Sequence, residues 1–316
     1  MPRQQPSIFR KILKWSLKGT GLLGTAAFVL LIIMLNCAGF SMKQAEIDAF
    51  FERAGLDPHY HQAEYANGKV HWVSVGDPQG QPVIFVHGSP GSWDAFIGFL
   101  GDRELSPTTH LISMDRPGYG KSDRGRATPS LIHQAAALAP ILDSNRSGKP
   151  AILVGHSYGG PVIARAAMDF PDKIGGLIIL AGSIDPELEK TKWFQVPAQW
   201  KIFTWMIPID LLTTNREILP LKDELNRMLP LWSSIEVPVT VIQGLTDELV
   251  PPGNADFAER VLSRAPLEVV RLPEQGHFIP WQRQDAVRAA IRGHLQRFQD
   301  RNIERSDSGA VSPVRD

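Results

Sequence analysis

Six short apolar runs, at 83–86, 110–114, 151–154, 177–180, 239–242 and 267–272, constrain this chain more than any other feature. Continuous runs of this length suit strands buried on both faces, as in a parallel sheet covered by helices. Stretches with helical periodicity separate them, among them 130–143, 161–169 and 281–298. The last carries Val287, Ile291, Leu295 and Phe298 on one face. Ahead of the first run, 43–60 reads as a short helix with Ile47, Phe50, Phe51 and Ala54 together. A hairpin follows, 61–66 and 69–76 around Asn67-Gly68, a pair suited to a type I′ turn. The pattern predicts an α/β domain with a mostly parallel, doubly wound sheet and an antiparallel start.

The amino terminus follows a different logic. Residues 1–18 are basic, with Arg3, Arg10, Lys11, Lys14 and Lys18, and the first acid is Glu46. Between Lys18 and Lys43 no residue is charged. As a helix, 19–42 would span roughly 36 Å, enough for a hydrocarbon layer of about 30 Å. A single-pass transmembrane anchor is therefore expected, its basic end cytoplasmic and the remaining chain exported. The alternatives are processed forms: a cleaved signal peptide, for which no A-x-A site is evident, or a lipoprotein anchored at Cys37. Elsewhere, 33 basic residues balance 33 acidic ones, so nothing marks a nucleic-acid partner. One cysteine and no Cys/His cluster exclude an internal disulfide and give no zinc spacing, and no cofactor is expected.

The connection at 183–237 is too long for a simple crossover. It divides the core into 43–182 and 238–300 and holds Trp193, Trp200, Trp205 and Trp232, half of all the tryptophans. Trp200, Phe203 and Ile207 share one helical face, while Trp205 and Met206 lie on another. This insert is expected to be a helical cap whose tryptophans pack onto the core and line a pocket for a small apolar molecule. The tail 301–316 lacks periodicity and is expected to be disordered.

Ligands of such sheets bind beyond the carboxyl ends of the strands, so the residues after each run carry the chemistry. The first run leads into His87-Gly88-Ser89-Pro90-Gly91, and the second into Asp115-Arg116-Pro117-Gly118-Tyr119-Gly120. Gly155-His156-Ser157-Tyr158-Gly159 follows the third, Thr246-Asp247-Glu248 the fifth, and Gln275-Gly276-His277 the sixth. Together, over roughly residues 60 to 300, these motifs resemble the α/β-hydrolase superfamily. The resemblance implies Ser157 as nucleophile in G-x-S-x-G, His277 as its base and Asp247 as the acid that orients the imidazole. It also implies an oxyanion hole made by the backbone N–H groups of Ser89 and Tyr158. Asp185, after the fourth run, and Glu248 are the competing acids. His87 and His156 are read as structural or pocket-lining, and Asp115 and Arg116 as loop braces.

A serine nucleophile separates the chain from epoxide hydrolases and dehalogenases, which share HG-x-P but attack with aspartate. The expected activity is hydrolysis of ester-type acyl bonds in small apolar substrates. A proline-type aminopeptidase, with Glu187, Glu189 or Glu224 holding the amine, and a carbon–carbon bond hydrolase are alternatives. A non-catalytic, membrane-tethered binding protein is a further one. Oligomeric state stays open.

Overall fold

The computed structural model describes residues 40–193 and 195–309. The expected anchor at 19–42 lies outside these residues except for its last three. Among the described residues, no helix is long and apolar enough to cross a membrane.

The apolar runs become strands of one eight-stranded sheet in the order β1-β2-β4-β3-β5-β6-β7-β8. Its members are β1 His59–Tyr65, β2 Gly68–Gly76, β3 Gln81–Val86, β4 Thr109–Asp115, β5 Ala151–His156, β6 Ile174–Leu180, β7 Val239–Gly244 and β8 Leu267–Leu272. The pairs β1–β2 and β2–β4 are antiparallel, and every later pairing is parallel. The hairpin turns one residue earlier than the Asn-Gly pair suggested, because Tyr65 pairs with Gly68. Asp123 holds the Lys69 N–H at 3.0 Å, and its carboxylate fills the space a β-carbon on Gly68 would need.

Pleating sends alternate side chains to opposite faces. Ile84, Val86 and Leu153 join one core layer, with helices α2 Leu131–Ala136 and α4 Gly159–Asp169. Val83, Phe85, Ile152 and Val154 join the other, with α1 Gln44–Ala54 and α8 Gln284–Gly309. The helix expected over 130–143 is two, α2 and α3 Ala139–Asp143. Pro140, lacking an N–H donor, starts a new helix rather than continuing the old one. β8 is the one run that is not buried on both faces. It is an edge strand, and Arg271 on it reaches Asp256 and Glu259.

One expectation changes at the carboxyl side, and the expected helical insert is present. Helix α8 continues to Gly309, into the stretch expected to be disordered, because extending an existing helix needs no apolar face. Residues 310–316 lie outside the described set. Between β6 and β7 the insert is helical, with α5 Ile209–Ile218 and α6 Leu221–Met228 preceded by short turns at Pro197–Gln199 and Lys201–Thr204.

Candidate active site

Ser157 sits between β5 and α4 with φ +55°, the left-handed region that a non-glycine residue rarely adopts. The flanking glycines follow from crowding. A β-carbon at Gly155 would lie 2.4 Å from the Gly159 carbonyl oxygen, and one at Gly159 would lie 2.2 Å from that of Val86. The loop after β3 closes on the same turn, since a β-carbon at Gly88 would meet the Ser157 Cβ at 2.9 Å. Only glycine at these places lets the turn form so tightly above the sheet.

Two later strand ends supply a histidine and a carboxylate. Asp247 is buried after β7. Its Oδ1 accepts the N–H groups of Leu249 at 2.9 Å and Val250 at 2.8 Å, and its Oδ2 accepts His277 Nδ1–H at 2.8 Å. With Nδ1 committed, Nε2 is the ring nitrogen left for proton transfer. His156 braces this loop by donating its Nε2–H to the His277 carbonyl at 3.0 Å. Burial, and then the nearby His277, push the His156 imidazole down to about 3, so it stays neutral.

Ser157, His277, Ser89 and Tyr158 all line one cavity of about 580 Å³ between the strand ends and the insert. Leu188, Leu211, Leu212, Ile218, Leu221 and Val250 give it mostly apolar walls. The competing acids are elsewhere engaged or placed. Asp185 pairs with Arg260 and accepts the Glu187 N–H, while Glu248 lines the cavity without bonding His277. Of the three glutamates considered for an amine, only Glu189 lines the cavity. Burial raises its carboxyl pKa, and it accepts a hydrogen bond from Ser183. Glu187 pairs with Lys222, and Glu224 accepts the Leu131 N–H and pairs with Arg227.

None of the four cap tryptophans lines the cavity. Trp232 is buried in the core, edge-on to Phe257 at 5.6 Å, and Trp193, Trp200 and Trp205 face outward. Aliphatic side chains from α5 and α6 occupy the inner face instead. Among the described residues no group of three or more His, Cys, Asp or Glu is placed to hold a metal.

A buried charged cluster lies directly behind Ser89. Arg116, fully buried after β4, faces Glu217 of α5 at 3.2 Å, and both side chains are inaccessible to water. Glu217 also accepts from Tyr119 at 2.8 Å, Gln134 at 2.8 Å and the Ser89 hydroxyl at 3.1 Å. Arg116 donates to the carbonyls of His87 at 2.9 Å and Gly88 at 3.2 Å, and to the Ser89 hydroxyl. His87 accepts the Arg116 N–H at Nε2, and burial followed by Arg116 holds its pKa well below the usual value. A second pair, Arg124–Asp210, bonds at 2.8 Å through both carboxylate oxygens. Glu217 was not legible as a site residue. Its signal was Asp210, Thr213 and Glu217 at helical spacing, a polar stripe on the face of α5 that is buried.

A family model described as the alpha/beta hydrolase fold matches residues 81–217. The solved structure of a thermophilic esterase from Thermogutta terrifontis superposes with a TM-score of 0.60 at 20% identity, over 76% of this chain and 98% of that one. The chain belongs to the α/β-hydrolase superfamily. Within it, the chain is similar to monoacylglycerol lipase abhd6-B of Xenopus laevis, 26% identical over 237 residues, or 72% of this chain and 67% of that one. It is also similar to the dihydrolipoyllysine-residue acetyltransferase component of the acetoin cleaving system of Pseudomonas putida. That match is 24% identical over 297 residues, covering 81% of this chain and 77% of the relative. At family level this α/β-hydrolase is a hydrolase of the lipase, esterase and epoxide hydrolase type.

Proposed function

We propose that this α/β-hydrolase is a membrane-anchored serine hydrolase that cleaves ester-type acyl bonds of small apolar substrates. One observation carries the reading: His277, bonded to the buried Asp247, lines an apolar cavity together with Ser157, which is held on a left-handed turn. His277 Nε2 takes the Ser157 hydroxyl proton as Oγ attacks the acyl carbon, and Asp247 stabilises the imidazolium. The backbone N–H groups of Ser89 and Tyr158 receive the developing oxyanion, and the start of α4 adds the favourable end of its dipole. Collapse breaks the ester bond, with the His277 proton going to the leaving alcohol. A water then repeats the sequence on the acyl-enzyme and releases the acid.

The apolar walls support an acyl group rather than a charged one, and Glu189 gives the aminopeptidase alternative its single foothold. The test is Ser157→Ala. It should abolish covalent labelling by a fluorophosphonate and lower turnover of graded-length esters by up to about 10⁶-fold. Labelling that survives rejects the nucleophile, and turnover of proline amides in preference to esters selects the peptidase. For the anchor at 19–42, the reading is a single pass with the catalytic domain exported. Release of the full chain by carbonate without detergent rejects it, while a lipid on an amino-terminal Cys37 selects the lipoprotein form.

A further inference from the structure

The outer wall of the cavity is built from a segment with two unlike sides. Between residues 190 and 207, Lys190, Lys192, Gln195, Ala198 and Ile207 line the cavity. From the same segment Trp193, Trp200, Ile202 and Trp205 are 87, 55, 66 and 65% exposed. A concentration of large apolar side chains exposed to water marks a surface that is covered in use. The segment carries three exposed lysines, Lys201 on the outer side and Lys190 and Lys192 at the cavity rim, and no acid. Indoles interleaved with lysines suit the boundary of a bilayer, where the rings sit at headgroup level and the ammonium groups reach anionic phosphates.

The place where the chain enters the domain points the same way. The Ser41 and Ser92 hydroxyls bond at 2.8 Å, and the Met42 N–H bonds Asp94 at 2.5 Å. Ser92 and Asp94 follow β3, at the carboxyl end of the sheet where the insert also sits. The uncharged stretch 19–42 ends at this contact, so no linker separates it from the cap end of the domain. Around the Asp247 and His277 loops, Leu249 and Phe278 add further exposed apolar surface.

We infer that the cap wall bearing Trp193, Trp200, Ile202 and Trp205 rests in the headgroup region of an anionic phospholipid bilayer, so that the cavity receives acyl substrates from the lipid phase. This rests on the anchored-hydrolase reading. The test uses the full chain and Trp193→Ser/Trp200→Ser/Trp205→Ser in vesicles of phosphatidylcholine and phosphatidylglycerol with brominated acyl chains. Subtracting the variant's emission isolates the three indoles. An interfacial ring lies about 5–10 Å into the headgroup–acyl boundary, so that difference should be quenched severalfold. The variant should also hydrolyse a long-chain ester dissolved in the vesicles about tenfold more slowly, a loss of about 1.4 kcal/mol, while keeping its turnover of a short, water-soluble ester.

An unquenched difference signal from a chain that floats with the vesicles overturns the docking and leaves the anchor standing. The same signal accompanied by cross-linked dimers assigns the wall to a second copy instead. Equal loss on both esters also overturns the docking. A full chain that does not float overturns anchor and docking together. Turnover of neither ester by the unaltered chain overturns the hydrolase reading, while quenching still reads the docking.

Discussion

Removing the Glu217 carboxylate should be the most costly single change in the cap. Glu217→Ala leaves the Arg116 guanidinium buried without its counter-charge, since both side chains are inaccessible to water. Arg116 would keep only neutral acceptors, the carbonyls of His87 and Gly88 and the Ser89 hydroxyl. Tyr119 and Gln134 would lose an acceptor but retain Thr214 at 3.0 Å and the Thr128 carbonyl at 2.9 Å. The unpaired charge therefore dominates, at about 3–5 kcal/mol. Arg116→Met should cost a similar amount for the opposite reason. The pair Arg116→Met/Glu217→Leu removes both charges and leaves mainly unsatisfied carbonyls, worth about 1–3 kcal/mol. The double change should therefore cost much less than the sum of the singles. Urea unfolding of the full chain in detergent, followed by tryptophan emission, gives all three values. Singles below about 1 kcal/mol, or a double equal to their sum, would refute the argument that a buried ion pair locks the cap to the core. Because Glu217 also holds the Ser89 hydroxyl, Glu217→Gln should lower kcat by less than the roughly 10²–10³-fold of a lost oxyanion donor, with KM little changed.

Asp247→Asn should reduce kcat by about 10⁴-fold by favouring the wrong His277 tautomer, while Asp185→Asn, which touches Arg260 instead, should leave turnover within about twofold. Reversed effects in steady-state kinetics would place the orienting acid after β6. His156 titrates at about 3 in the folded chain and at its ordinary 6.5 when unfolded. Between those values the unfolded state binds the extra proton, so stability is full above pH 6.5 and falls as pH drops toward 3, by about 1.4 kcal/mol per unit for this group. His156→Gln should flatten the slope of urea-derived stability against pH by that amount, and an unchanged slope would remove His156 as its source.

Much of this protein was legible because its chemistry is tied to short local patterns. The carboxyl end of a strand is marked by where its apolar run stops, which made Ser157, Asp247 and His277 candidates, and the family resemblance gave them their expected roles. The G-x-S-x-G spacing has a local cause as well, in the carbonyl oxygens that press on positions 155 and 159. Boundaries were less legible. Pro140 split one expected helix, and α8 ran on past residue 300, where the ordered core was expected to end.

The insert shows where local reading stops. Apolar periodicity established that the tryptophans of 183–237 belong to helical or turning structure that needs cover, but periodicity carries no direction. Packing against α5 and α6 put aliphatic side chains inside, sent Trp232 into the core and turned Trp193, Trp200 and Trp205 outward. The Arg116–Glu217 pair was equally out of reach, because its partners lie 101 residues apart. Arg116 alone reads as a loop brace and Glu217 alone as one more helix charge, and the value of the pair arises only when the folded chain excludes water from both. Sequence determined which strand ends bear the candidate groups. Tertiary structure alone decided what the cap buries and what it shows, because burial belongs to the assembled surfaces and not to any one segment.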